Sequence, residues 1–163
     1  AVDSRATDVA RAAGFDARRL DAFLRDAVPG LTGTMRLARI GGGQPKLTEA
    51  VSLMEANYEE PLPTEEIARL VGISRRQLER LFKQYLNSLP SRYYLELRLN
   101  RARHLLQQTS QSILQIGLSC GFSSGPHFSS AYRNHFGITP REQRSQRAAR
   151  GGPAGAETAE PGP

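Results

Sequence analysis

The chain has 163 residues, with 22 Lys or Arg against 16 Asp or Glu and a formal net charge of +6. That length holds one ordinary domain or two small ones. The lone cysteine, Cys120, excludes an internal disulfide, the histidines stand at no ligand spacing to it, and no apolar run approaches the roughly 18 residues of a membrane helix.

Residues 1–40 are rich in Ala, Arg and Asp, with a partly helical pattern, and run into Gly41-Gly-Gly-Gln-Pro45, a flexible break. Residues 1–44 together are expected to form an N-terminal extension. A helical body follows over residues 45–147. Its first helix is expected from about Lys46 to Tyr58, with Leu47, Ala50, Val51, Met54 and Tyr58 on one stripe. Glu59-Glu-Pro-Leu-Pro63 interrupts it. Thr64 is the expected cap of a second helix, Glu65 to Val71, whose two leading glutamates suit the positive end of its dipole. Gly72 ends that helix in a left-handed conformation. Ser74, with Gln77 three residues on, forms a capping box that opens a third helix at Arg75, running to about Leu86. A long helix with a strong apolar stripe spans Ser91 to Gln108. Ser112 caps a fifth, Ile113 to Cys120, which stops at Gly121. Ser123 or Ser124 starts a sixth, with Pro126 in its first turn, ending near Phe136 and Gly137. Thr139-Pro140 opens a short seventh. Residues 148–163 have no apolar period and are expected to be disordered. The fold class is all-α, with about seven helices.

The body repeats itself. Ile67-Ala-Arg-Leu-Val-Gly-Ile-Ser-Arg-Arg-Gln-Leu-Glu-Arg-Leu-Phe-Lys83 and Ile116-Gly-Leu-Ser-Cys-Gly-Phe-Ser-Ser-Gly-Pro-His-Phe-Ser-Ser-Ala-Tyr-Arg133 are both helix-turn-helix patterns. Gly72 aligns with Gly121 at an offset of 49, while Phe82-Lys83 aligns with Tyr132-Arg133, and Pro90 with Pro140, at 50. The second copy therefore carries one extra residue. Two such units on one chain, within a segment (46–147) holding 14 basic and 9 acidic groups, point to a reader of DNA. In each unit the first helix packs across the second, which enters the major groove. Ile67, Leu70, Ile73, Leu78, Leu81 and Phe82 are the expected buried set of the first copy. Ile116, Phe122, Phe128, Tyr132 and Phe136 are that of the second.

What remains on the third helix is its outer face. Arg pairs bidentately with guanine, and Glu accepts from the cytosine amino group. Arg76, Glu79 and Arg80 are the candidate base contacts, with Ser74, Arg75 and Lys83 for phosphate. The same surface would also serve as a solvated face of Arg/Glu pairs. The sixth helix offers Ser129 and Ser130 for bases, and Ser124 and Arg133 for phosphate. Gly125 and Pro126 beside them read little, so the first unit is expected to specify and the second to position. No nucleophile–base pair or carboxylate dyad supports an enzyme, and no cofactor or metal is expected. The alternative is a protein-interaction or nonspecific DNA-binding module with an impaired second recognition helix.

Over residues 45–147 this pattern resembles the C-terminal DNA-binding domain of the AraC/XylS family of bacterial transcription regulators. The likeness rests on Leu99-Asn-Arg-Ala-Arg-His-Leu-Leu106, Ile116…Gly121-Phe122 and Phe136-Gly-Ile-Thr-Pro-Arg-Glu-Gln-Arg144. It implies two helix-turn-helix subdomains joined by a long helix and set in successive major grooves on one face of DNA. It also implies a cytoplasmic, nucleoid-associated regulator that activates through RNA polymerase; two units on one chain make a monomer the default. Leu53-Met-Glu-Ala-Asn-Tyr…Glu-Glu-Pro-Leu62 and Ser74-Arg-Arg-Gln-Leu-Glu-Arg-Leu-Phe82 are most similar to the branch with an amidase-like N-terminal domain, whose regulators control the use of betaine, carnitine or arginine. No counterpart of that domain is recognisable here. Gly125-Pro126, Ser130 and Leu89 depart from the family pattern. Leu20-Asp-Ala-Phe-Leu-Arg-Asp-Ala-Val-Pro-Gly30 and Met35-Arg-Leu-Ala-Arg-Ile-Gly-Gly-Gly-Gln44 are similar to the N-terminus of aminoglycoside-phosphotransferase-like kinases. No nucleotide-binding lysine or catalytic Asp loop follows, so residues 1–44 read as a fused remnant. Asp8-Val-Ala-Arg-Ala-Ala-Gly-Phe-Asp16 is alternatively a short helix-turn piece.

Overall fold

The computed structural model describes residues 44–151. The expected extension with its kinase likeness, and the tail beyond residue 151, lie outside the described residues. Within them are seven helices and no strand: α1 (Pro45–Ala56), α2 (Thr64–Val71), α3 (Arg75–Leu86), α4 (Pro90–Gln108), α5 (Ile113–Ser119), α6 (Gly125–Phe136) and α7 (Pro140–Arg150).

Several boundaries move from their expected places, each for a local reason. α1 stops at Ala56 rather than Tyr58, because Asn57 turns the chain: its N–H donates to the Met54 carbonyl at 3.2 Å and its side-chain amide to the Leu53 carbonyl at 2.8 Å. Thr64 does not cap α2 but is its first residue. Ile67 N–H already reaches the Pro63 carbonyl at 3.1 Å, so Pro63 holds the cap position without a side-chain acceptor. α5 ends at Ser119, with Cys120 as its cap residue. α7 runs to Arg150, so residues 148–150, expected in the disordered tail, are helical.

Two cores share one helix. Leu47, Ala50, Val51, Met54, Ile67, Leu78, Phe82 and Leu86 form the first with Tyr93, Tyr94 and Leu97 from the N-terminal half of α4. Leu99, Ala102 and Leu106 from its C-terminal half join Ile116, Cys120, Phe122, Phe128 and Tyr132 in the second. The changeover falls between Leu97 and Leu99. Leu70, expected inside, is 50% exposed. Ile67, Ala68 and Val71 set the buried face of α2, and at 3.6 residues per turn Leu70 falls about 100° away from its centre.

The two units are built alike to the level of single hydrogen bonds. Ile73 N–H donates to the Ala68 carbonyl at 3.0 Å, and Phe122 N–H to the Gly117 carbonyl at 3.0 Å, each closing a left-handed turn at Gly72 (φ 80°) or Gly121 (φ 83°). α3 and α6 then end alike, on Asn87 and Gly137 at an offset of 50. The extra residue of the second copy is Ser123, because the N-cap of α6 is Ser124, whose hydroxyl accepts from His127 N–H at 3.3 Å.

The cores differ by compensation. Ala68 and Leu78 in the first unit correspond to Gly117 and Phe128 in the second. A Cβ on Gly117 would lie 2.8 Å from the Phe128 ring, so the larger side chain occupies the space the smaller one leaves. Phe82 stacks edge-on against Tyr93 at 5.6 Å, whereas the equivalent Tyr132 donates its hydroxyl to Gln143 Oε1 at 3.0 Å. Burial holds the Tyr132 phenol far above its usual range, so it stays a donor.

Candidate nucleic-acid interface

The first candidate reading surface is the outer face of α3. Ser74 makes the expected capping box: its hydroxyl accepts from Gln77 N–H at 3.1 Å, and Gln77 Oε1 accepts from Ser74 N–H at 3.1 Å. This satisfies two N-terminal donors and fixes the start of the helix. Arg76, Arg80 and Lys83 are exposed, and no hydrogen bond or ion pair to their side chains is found among the described residues. Their guanidinium and ammonium groups are free for a polyanion.

Arg75 and Glu79 behave differently. Arg75 Nε donates to Glu79 Oε1 at 2.9 Å, and its Nη1 to Glu65 Oε1 at 3.1 Å. These hydrogen bonds, to Glu79 first and Glu65 second, push the Arg75 guanidinium further up from its ordinary value. Arg75 thus ties α3 to α2 and leaves Glu79 one uncommitted carboxylate oxygen. Part of this surface is therefore a solvated Arg/Glu pairing, and part is unpaired cation. Glu66 and Arg69 pair nearby on α2, and the hydrogen bond from Arg69 holds the Glu66 carboxyl below its usual range.

The second candidate surface, on α6, is leaner. Ser124 is occupied as a cap. Ser130 and Arg133 are exposed and Ser129 is half-buried. His127 stands in the first turn of α6; its ring meets Phe122 edge-on at 5.6 Å, with Nδ1 at 3.3 Å from Ser123 Oγ. Gln77 is its counterpart on α3.

Two positioning groups were not foreseen. Lys46 Nζ on α1 donates to the Val71 carbonyl at 2.8 Å, at the end of α2. Arg98 on α4 donates to the Cys120 and Gly121 carbonyls, both at 2.7 Å, at the end of α5. Each supplies a cation where a helix leaves acceptors unsatisfied. A charged residue inside the stripe Leu97-Arg98-Leu99 was the available signal for the second. Arg144 and Arg147 on α7 similarly hold the α4–α5 loop through the carbonyls of Thr109 and Gln111. No helix among the described residues is long and apolar enough to cross a membrane.

A family model described as a helix-turn-helix domain matches residues 67–146. The HTH-type transcriptional regulator ArgR of Pseudomonas aeruginosa is 75% identical over 116 residues, covering 71% of this chain and 35% of that protein. GbdR of the same species is 61% identical over 105 residues, 64% of this chain and 29% of that one. The chain thus spans about a third of the length of the curated relatives it matches. A transcriptional regulator with an AraC-type DNA-binding domain from Chromobacterium violaceum, known from a crystal structure, is 80% identical; the match covers 68% of this chain and 98% of that one at a TM-score of 0.64. The DNA-binding domain of AdpA, solved in complex with a target DNA, is 26% identical over 68% of this chain and 100% of that one, at a TM-score of 0.62.

Proposed function

The chain belongs to the AraC-type family of helix-turn-helix transcription regulators, and on that footing we propose that it binds DNA sequence-specifically, with α3 and α6 in successive major grooves. The observation that carries this is the repeated turn, closed by the same hydrogen bond in both units, with three unpaired cations on the outer face of α3. Arg76 and Arg80 read bases. Glu79 joins them through its second oxygen, since a carboxylate accepts at both oxygens. Lys83 and Arg133 hold phosphate, while Ser74, Arg75 and Ser124 set the helix starts beside the backbone. Ser129 and Ser130 give α6 a weaker readout.

A monomer suffices, because both units lie on one chain. In the cell it acts in the cytoplasm at the nucleoid, as an activator that contacts RNA polymerase, with no catalytic activity of its own. Residues 45–147 are the DNA-binding domain, residues 1–44 an extension and the residues beyond it a tail.

A pure interaction module is the competing reading, favoured by Leu114 and Leu118, which stand 53% and 45% exposed one turn apart on α5. Competition separates the two. Specific binding survives an excess of random duplex and weakens steeply with salt, because phosphate contacts release counterions. Complete loss to random duplex would favour a nonspecific DNA-binding module, and no DNA binding at all the interaction module.

A further inference from the structure

The point where α4 passes from one core to the other is also where the two units touch. Arg98 sits there, half-buried between Leu97 and Leu99. Its fork spans two consecutive carbonyls of the second turn, Cys120 and Gly121, and its guanidinium lies 4.4 Å over the Phe122 ring. The other side of the same turn rests on the first unit. A Cβ on Gly121 would strike the Tyr58 carbonyl and come within 2.5 Å of Pro61 Cγ. That α1–α2 loop is itself bound to α4: Tyr94 Oη donates to the Asn57 carbonyl and accepts from Leu62 N–H at 3.3 Å, while Arg101 lies 5.1 Å over the Tyr58 ring. The turn that aims α6 is therefore gripped between α4 and the first unit.

We infer that Arg98 is a positioning residue that fixes the separation and phase of α3 and α6, and so makes the chain selective for one spacing between its two half-sites. This rests on the two-groove reading above. An inserted base pair moves one half-site by about 3.4 Å and rotates it by about 34° relative to the other. A reader whose second turn is clamped cannot follow that change. One whose turn is released can, at the expense of affinity for the original spacing. Lysine would not replace Arg98, since a single ammonium cannot span two carbonyls in a fixed fork or stack flat on Phe122.

The test uses the full chain and a duplex selected by it, alongside the same duplex with one base pair inserted between the half-sites. The unaltered chain is expected to lose about tenfold or more on the insertion, and Arg98→Ala about threefold or less, with base preferences in the α3 half-site unchanged. An Arg98→Ala chain with the full penalty would overturn the proposal and leave the two-groove reading standing. An unaltered chain indifferent to the insertion would remove both. A DNA-free measurement covers the case in which Arg98→Ala does not fold. Spin labels at Gln84→Cys and Asn134→Cys, both exposed sites, should give a narrow distance distribution in the otherwise unaltered chain and a broad one with Arg98→Lys. Equal widths would overturn the proposal.

Discussion

Gly72 and Gly121 share a backbone conformation but not a neighbourhood. A Cβ on Gly72 would find only Lys46 Nζ at 3.9 Å, whereas one on Gly121 would collide with Tyr58 and Pro61. Gly72→Ala should therefore cost only the left-handed strain, about 1–2 kcal/mol, and Gly121→Ala clearly more. Urea unfolding of both variants checks this, and equal losses would contradict the close approach at Gly121. On the reading surface, Arg80→Ala should weaken specific binding by ~1–3 kcal/mol and relax one base position. Ser130→Ala should do less, because a hydroxyl reads less than a guanidinium fork. Titration against the selected site and its single-base variants compares the two; a larger loss for Ser130→Ala would reverse the division of labour between α3 and α6.

Elements defined by short-range chemistry were legible in advance. The capping box at Ser74 and the left-handed stop at Gly72 depend on residues within a turn of each other, and both stand where expected. Leu70 was misplaced because hydrophobicity alone does not say which edge of a short helix faces its partner. The roles of Lys46 and Arg98 were hidden because their acceptors lie 25, 22 and 23 residues away. Compensation between units was equally invisible until Gly117 was seen against Phe128. It makes a sharp prediction. Gly117→Ala should destabilise the chain by about 1–3 kcal/mol through overpacking. Adding Phe128→Leu, which recreates the Ala68 and Leu78 combination of the first unit, should recover part of that loss. A double-mutant cycle in urea measures the coupling, and purely additive losses would contradict the compensation.

At the scale of the whole molecule, the repeat offset read from the sequence carried through to matched turns, caps and cores. The shared helix was foreseen; the grip of Arg98 and Gly121 across the two units was not, since nothing in a linear pattern brings Tyr58 to Gly121. Charge belongs to this scale as well. Binding should follow counterion release, with the logarithm of affinity falling linearly with the logarithm of salt, and Lys83→Ala should lower that slope by about 1. An unchanged slope would remove Lys83 from the phosphate contacts. The central claim, specific readout led by α3, is met most directly by selecting sites from a random duplex library, first with the unaltered chain and then with Arg76→Ala and Arg80→Ala combined. The account predicts an asymmetric motif that loses its base preferences on one side in the double variant. No enriched motif, with only salt-sensitive bulk binding, would contradict it.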